Sequence, residues 1–242
     1  MPKLIAVVPV REGSQRVKDK NFKPFGGQNL LELKLAKLKQ VPGIDAIVVN
    51  TDSDEAIEIA ERLGVGHFRR DPYYASSSCI NSDHWRNLAE TTEADYIMHT
   101  LCTSPLIALD TYSKVLEAYR LQVLGGTHDS VNTVHKIKKF LWMDGKPINY
   151  TIGQSPNSQN LPDVIAITFG ISIISREMMI ARGNVVGTRP LFYPLDEVES
   201  VDIDTPLEFE FAEFLYNKQR EAGGNPLADV ISDGPERTVP GA

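Results

Sequence analysis

The chain has 242 residues, a length typical of one large domain or of one domain with an attached lobe. Its hydrophobic fraction of 42% and charged fraction of 24% are typical of a folded globular protein, and they argue against disorder, collagen-like repeats and disulfide scaffolds. The net charge of −7 argues against a general binder of nucleic acid or anionic membranes. Any anionic ligand must therefore meet a local basic patch.

We expect no signal peptide or membrane span in the first residues of this sequence. The apolar run at residues 4–10 is too short to span a bilayer, and Arg11 and Glu12 follow where a signal peptide needs small residues. Cys79 and Cys102 have no C-x-x-C spacing, which predicts two buried thiols in a reducing compartment. We therefore expect a cytoplasmic location.

The first half of the chain alternates strand patterns with helix patterns. Leu4–Val10 predicts a strand buried on both faces, and the next helix, over 29–41, alternates leucines with Lys34, Lys37 and Lys39 in an amphipathic pattern. The elements predicted after it are strand 46–50, a helix from Ser53 or Asp54 to Gly64, a strand near 67–68, helix 82–91, strand 96–101 and helix 109–124. This alternation predicts an α/β fold with a parallel sheet.

The pattern changes in the second half. Segments 130–137, 140–143 and 148–150, joined at Asp144-Gly145, predict antiparallel hairpins, so we interpret about 135–165 as an excursion from the sheet. The sheet is predicted to resume with strand 164–174, helix 176–181 and strand 198–203.

A last helix is predicted to begin at Pro206, and its spacing predicts that one face packs against the sheet. The residues predicted on that face are Leu207, Phe211, Phe214 and Leu215. The main domain is predicted to span 1–221, followed by a loosely held tail at 222–242 that is rich in Gly and Pro.

The loop after the first strand is strongly basic. Residues 11–23 carry a net charge of +3, and ligands of open parallel sheets bind beyond the carboxyl ends of the strands. Gly13 and Ser14 permit a turn whose amides face phosphate oxygens. The cations available to phosphate are Arg11, Arg16 and Lys20. The position after a buried strand favours phosphate binding over an ordinary solvated loop, although Walker and dinucleotide motifs are absent.

An acidic pair follows the last predicted strand. In a strand, Asp202 and Asp204 would point to the same face, and two adjacent carboxylates are a natural seat for Mg²⁺. The alternative is structural, because Thr205, Pro206 and Glu208 form a helix start with a capping box, next to which Asp204 favours the helix dipole. This alternative does not explain Asp202.

Other polar and aromatic residues give weaker signals. Thr103 and Ser104 follow a predicted strand and offer hydroxyls and amides, although Thr-Ser-Pro is also a common loop sequence. The histidines show no ligand spacing, and Trp85 and Trp142 are interpreted as packing residues. The histidines interpreted as structural or surface residues are His84, His99, His128 and His135.

Five motifs in this order resemble the acylneuraminate cytidylyltransferase family over about residues 4–215. The family's basic loop has the form R-x-G-S-K-x-x-x-x-K-N. The matching residues are Arg11, Gly13, Ser14, Lys20 and Asn21, followed by Asn50–Glu55, Leu101–Ile107, Gln159–Pro162 and Ser200–Asp204. Each motif alone is short, and their combination and order make the resemblance specific.

The resemblance implies a Rossmann-like nucleotidyltransferase fold with a dimerisation lobe at 135–165, and hence a homodimer. It implies that an acceptor hydroxyl attacks the α-phosphorus of CTP and that Mg²⁺-bound pyrophosphate leaves. The roles implied are catalytic for Arg11, Lys20, Asp202 and Asp204; nucleotide-binding for Arg11, Gly13, Ser14, Arg16, Lys20 and Asn21; acceptor-binding for Thr103, Ser104, Gln159 and Phe169; and metal-binding for Asp202 and Asp204.

The chain also departs from the family pattern, mostly on the acceptor side. The departures are Gln15, Leu101, Cys102, Ile107, Ser158 and the segment 169–173. We therefore expect the acceptor to be a sugar acid or another small acidic molecule, and the departures argue against ordinary N-acetylneuraminic acid. A sugar-1-phosphate nucleotidylyltransferase and a nucleotide-binding module without catalysis are the alternatives.

Overall fold

The computed structural model of the protein describes residues 2–13 and 16–223. The strands are β1 Leu4–Val10, β2 Pro24–Phe25, β3 Gln28–Asn29, β4 Ala46–Thr51, β5 Gly66–Arg69, β6 Tyr96–His99, β7 Ser130–Ile137, β8 Trp142–Met143, β9 Lys146–Pro147, β10 Val164–Ser175 and β11 Pro190–Pro194. The helices are α1 Leu30–Leu38, α2 Asp54–Arg62, α3 Pro72–Ala75, α4 Asn81–Glu90, α5 Leu109–Ala118 with a π-helical turn at Tyr119–Val123, a 3₁₀ turn at Ser158–Asn160, α6 Arg176–Arg182 and α7 Pro206–Glu221.

Seven strands form the central sheet, in the order β11-β7-β10-β6-β1-β4-β5. Pairings β6-β1, β1-β4, β4-β5 and β7-β11 are parallel, whereas β10 runs antiparallel to both β6 and β7. Six strands therefore share one direction, and the predicted mostly parallel sheet is confirmed. Parallel strands place their carboxyl ends at one edge, which is where such sheets bind ligands.

The sheet is covered on both faces, and β1 shows why its sequence is apolar throughout. Leu4, Ala6 and Val8 pack into the larger core with α1, α2, α5 and α7, while Ile5 and Val7 pack into a second core with α4 and α6. Successive strand residues point to opposite faces. A strand buried on both faces therefore needs apolar residues at every position.

Two helices begin with a capping box, the predicted one at Thr205 and a second one at Asn29. Asn29 accepts from the Glu32 amide before α1 while the Glu32 carboxylate accepts from the Asn29 amide, and Thr205 and Glu208 do the same before α7. These reciprocal bonds satisfy amides that have no partner inside the helix.

The prediction of a strand at 198–203 is wrong. Residues 197–200 form a turn and 201–204 have no regular structure, while the outer strand of the sheet is β11, which sequence patterning missed. Asp202 and Asp204 therefore do not owe their orientation to a strand. The predicted hairpin is also smaller than expected: β7 belongs to the central sheet, and only β8 and β9 pair around Asp144-Gly145.

The prediction for the buried face of α7 is wrong for three residues. Phe209, Ala212 and Tyr216 are buried in the core. The side chains at Leu207, Phe211 and Phe214 are exposed to solvent, by 75%, 50% and 61% respectively.

The polar residues of α1 are also placed unexpectedly, since Lys34 and Lys37 are buried. Cys102 is buried as predicted, but Cys79 is partly exposed, so the buried-thiol prediction is wrong for Cys79. Trp142, predicted to pack, is half exposed. Among the described residues, no helix has the length and apolar character needed to cross a bilayer.

Candidate functional site

A cavity of about 480 Å³ lies where β1, β5 and β6 end. Arg11 follows β1, Arg70 follows β5, and Leu101–Thr103 follow β6 closely. Strand β10 reaches the same edge from the other direction, because Ser172 pairs with His99 at the end of β6 and the residues before Ser172 extend beyond it. The fold thus brings distant loops of the chain around one space.

The basic loop forms one wall of this cavity. Arg11, Arg16, Lys20 and Asn21 all line it, as their assignment to a nucleotide site requires. Gly13 has φ +70, a left-handed conformation that favours glycine. Ser14, also assigned to the nucleotide, lies outside the described residues.

Arg70 is a further cation of the cavity that sequence reasoning missed. It is buried and donates to the carbonyls of Val10 and Asn50, and its guanidinium lies 4.0 Å from Asp52. Burial lowers the pKa of Arg70 to about 10, which leaves it charged at neutral pH. Its position directly after β5 is the signal that could have identified it.

The acidic pair lies beside the basic loop. Asp204 forms ion pairs with Arg16 at 2.9 Å and with Lys20 at 3.5 Å, and the Lys20 ammonium also donates to the Ile203 carbonyl. Asp204 is therefore already paired with two cations in this structure. Because Arg16 and Asp204 are both well exposed, this pairing contributes little to stability, and an anionic ligand can compete for Arg16.

Asp202 is the more buried member of the pair. Burial raises its pKa, a hydrogen bond with Thr103 lowers it, and the charge of Asp204 raises it. The amide of Ile203, between the two carboxylates, donates to the Thr103 carbonyl at 3.0 Å. Thr103, which lines the cavity, therefore orients the acidic segment as well as facing the ligand space.

The two carboxylates fit a magnesium ion shared with a substrate. Among residues 2–13 and 16–223, the buried Oδ1 of Asp202 has no hydrogen-bond partner, and no cluster of three metal-ligating side chains occurs. Mg²⁺ in nucleotide enzymes is typically held by one or two carboxylates together with substrate phosphates and water. Asp202 and Asp204 would supply the protein carboxylates of such a shared site, although neither is among the residues that line the cavity.

The residues assigned to the acceptor are not all brought together. Phe169 lines the cavity at a bulge of β10, where its φ is +53. Ser104 is buried behind the cavity wall, and Gln159 is exposed on the 3₁₀ turn; neither is among the lining residues.

An aromatic wall next to Phe169 consists of Trp85 and His99, both interpreted from sequence as structural. The Trp85 ring lies 5.7 Å from that of Phe169 and 6.5 Å from that of His99. Burial lowers the pKa of His99 to about 4, and burial with the nearby Arg70 charge lowers that of His84 to about 3. This part of the cavity is therefore aromatic, with imidazoles that are neutral at pH 7, and the Arg70 guanidinium lies 3.4 Å from the His84 Nδ1.

Comparisons with known proteins support one family. The family described as Cytidylyltransferase matches residues 5–141. The chain is similar to post-translational flagellin modification protein B of Campylobacter coli, with 22% identity over 232 residues covering 90% of this chain and 97% of that protein. It is also similar to a pseudaminic acid cytidylyltransferase of Campylobacter jejuni, with 23% identity over 233 residues covering 91% and 99%.

Solved structures share the fold. CMP:2-keto-3-deoxy-manno-octonic acid synthetase complexed with CTP has a TM-score of 0.66 and 16% identity, covering 90% of this chain and 99% of that one. The 4-diphosphocytidyl-2C-methyl-D-erythritol synthase from Anaerococcus prevotii has a TM-score of 0.66 and 14% identity, covering 89% and 96%. These similarities confirm the predicted Rossmann-like nucleotidyltransferase fold.

Proposed function

The chain belongs to the cytidylyltransferase family, and from this premise we propose that it transfers CMP from CTP to a small sugar acid, with Mg²⁺ as cofactor and pyrophosphate as leaving group. The observation that carries the proposal is the meeting of the basic loop with the acidic pair, through Arg16 and Lys20 on one side and Asp204 on the other, at the carboxyl edge of the sheet. The side chains that would bind a triphosphate therefore lie next to the carboxylates that would bind its metal ion.

The names of two relatives support the acceptor class, and this chain matches both of them over nearly their whole length. Two relatives from Campylobacter jejuni are named pseudaminic acid cytidylyltransferase and CMP-N,N'-diacetyllegionaminic acid synthase. The sugar would lie at the aromatic end of the cavity, since Phe169 and Trp85 offer apolar surface there. Pockets for small molecules commonly combine aromatic walls with a few polar groups.

In the proposed reaction, the acceptor oxygen bonds to the α-phosphorus of CTP, the bond from that phosphorus to the α,β-bridging oxygen breaks, and the hydroxyl proton is released. Arg11, Arg16 and Lys20 hold the triphosphate and stabilise charge that moves to the leaving pyrophosphate. Asp202 and Asp204 would hold Mg²⁺, which neutralises the phosphate oxygens when bound. The protein contributes mainly positioning and electrostatic stabilisation.

We also propose that the enzyme is a cytoplasmic homodimer, joined through residues 138–163 between β7 and β10. This segment exposes an unusual number of large apolar side chains for its length, and exposed apolar patches mark interaction sites. They are Phe140, Trp142, Met143, Ile148 and Ile152.

The test of the activity is pyrophosphate release from CTP and Mg²⁺ with a panel of 2-keto-3-deoxy sugar acids. Asp202→Asn and Asp204→Asn should each reduce turnover by roughly 100-fold or more, because the metal stabilises the transition state by several kcal/mol. Asp110→Asn is the matched control, since Asp110 is an exposed acid paired with Lys114 on α5.

Three results would contradict parts of the proposal. Near-normal rates in both site variants would remove the metal assignment. If the folded wild-type protein released no pyrophosphate with any acceptor, while binding CTP tightly, the chain would be a nucleotide-binding module. Equal use of UTP or dTTP would favour the sugar-1-phosphate alternative.

A further inference from the structure

Lys34 of α1 is buried beneath the wall of the cavity. Only 2% of its surface is exposed, and its ammonium donates to the Tyr112 hydroxyl at 2.6 Å and to the Thr100 hydroxyl and the Ser104 carbonyl at 3.3 Å each. Thr100 and Ser104 flank the segment 101–103 that lines the cavity. Lys34 therefore donates hydrogen bonds at both ends of residues 101–103. We call residues 101–103 the floor of the cavity.

The stability of the fold does not explain why the Lys34 side chain is buried. All the acceptors that the described residues offer Lys34 are neutral oxygens, and no carboxylate pairs with it. A buried charge without an opposite charge costs stability, and replacing such groups by apolar residues of similar volume is often neutral or stabilising. Residues that conflict with stability in this way occur preferentially at functional sites.

The hydrogen bonds from Lys34 lead to both halves of the site. On one side the floor orients the acidic segment, because Thr103 bonds Asp202 and its carbonyl accepts from the Ile203 amide. On the other side the Thr100 hydroxyl donates at 2.6 Å to the carbonyl of Gly170, the residue after Phe169. One ammonium is thus connected to the proposed metal ligands and to the proposed acceptor wall.

We propose that Lys34 is a positioning residue for nucleotidyl transfer, which fixes the floor so that the acidic pair and the β10 bulge keep their relative placement. The proposal rests on the proposed function for its catalytic consequence. Lys34 contacts neither substrate nor metal in this role and acts through Thr100, Thr103 and Ser104. Its charge acts on neighbouring groups: it adds to the burial that lowers the pKa of Lys37, and it opposes the burial that raises the pKa of Cys102.

Lys34→Met tests the proposal, because methionine keeps the length and removes the charge and the donors. The matched control is Lys37→Met, one turn along the same helix, where the ammonium donates to the carbonyls of Pro105 and Ile107 beyond the floor. We expect Lys34→Met to lower kcat at least tenfold with KM for CTP changed less than threefold. Lys37→Met should keep kcat within threefold of wild type.

Amide hydrogen exchange supplies a measurement that is independent of turnover. In Lys34→Met the Ile203 amide, which donates to Thr103, should exchange at least tenfold faster while amides of β1 remain unchanged. Lys37→Met should leave Ile203 exchange unchanged. If Lys34→Met does not fold, Tyr112→Phe replaces it. This variant removes the hydroxyl that forms the shortest hydrogen bond with Lys34, and it should show a smaller loss of kcat and a smaller rise in Ile203 exchange.

The outcomes separate this inference from the proposed function. Unchanged kcat and unchanged Ile203 exchange in Lys34→Met would overturn the positioning role, as would equal effects in Lys37→Met. If the wild-type protein turned over no acceptor, the proposed function would fail, and the exchange result would still decide whether Lys34 orders the floor.

Discussion

Raising the pH from 7.0 to 8.5 should stabilise the protein through Lys37. This side chain is buried and its ammonium donates to the carbonyls of Pro105 and Ile107 at 2.8 and 2.6 Å. Burial, with a further contribution from the Lys34 charge and an opposing one from Glu199, lowers the pKa of Lys37 from 10.5 to about 7. The folded protein therefore holds this proton less tightly than the unfolded chain.

The sign and size of the effect follow from proton linkage. Below pH 7 Lys37 is protonated in both states, and its burial cost is fully present. Between pH 7 and 10.5 the unfolded chain keeps a proton that the folded protein has released, so the free energy of unfolding rises with pH. For these two pKa values the rise between pH 7.0 and 8.5 is about 1.6 kcal/mol.

Urea unfolding at the two pH values measures this rise, with Lys37→Met as the comparison. Other titrating groups are common to both proteins, so the difference between their pH dependences isolates Lys37. With an m value of about 2.5 kcal/mol/M, the wild-type midpoint should move roughly 0.7 M further than that of the variant. Identical pH dependences would refute the assignment of a depressed pKa to this lysine.

Two further predictions concern packing and assembly. Phe209→Ala should destabilise the protein by about 3–5 kcal/mol because the side chain is buried, whereas Phe211→Ala should change stability by less than about 0.5 kcal/mol; similar losses in urea unfolding would contradict the helix face seen here. Trp142→Asp should convert the proposed dimer to monomers in sedimentation equilibrium, and a wild-type protein that is already monomeric would refute the assembly proposed for residues 138–163.

Much of the fold could be predicted because its signals are local. The uninterrupted apolar run of β1 indicates a strand buried on both faces, and the capping box at Thr205 marks the start of α7. The basic loop could be placed at the ligand edge for the same reason, since it follows directly after a buried strand. Arg11, Arg16, Lys20 and Asn21 do line the cavity.

The predictions are wrong at two places where the local sequence pattern is compatible with more than one structure. Val201 and Ile203 alternate with aspartates as strand residues do, yet the Ile203 amide bonds the Thr103 carbonyl, a residue 100 positions away. In α7, two apolar stripes compete at helical spacing. Contact with Phe25 and the core selects the one containing Phe209 and Tyr216.

The sequence by itself determined the alternating strands and helices, the caps and the basic loop, because each depends on neighbours in the chain. The tertiary structure alone decided the placement of Lys34 and Lys37, which have the spacing of a solvated helix face. Their partners are carbonyls and hydroxyls 66 to 78 residues away in the sequence. A lysine is buried only where the fold supplies such acceptors, and no local pattern specifies them.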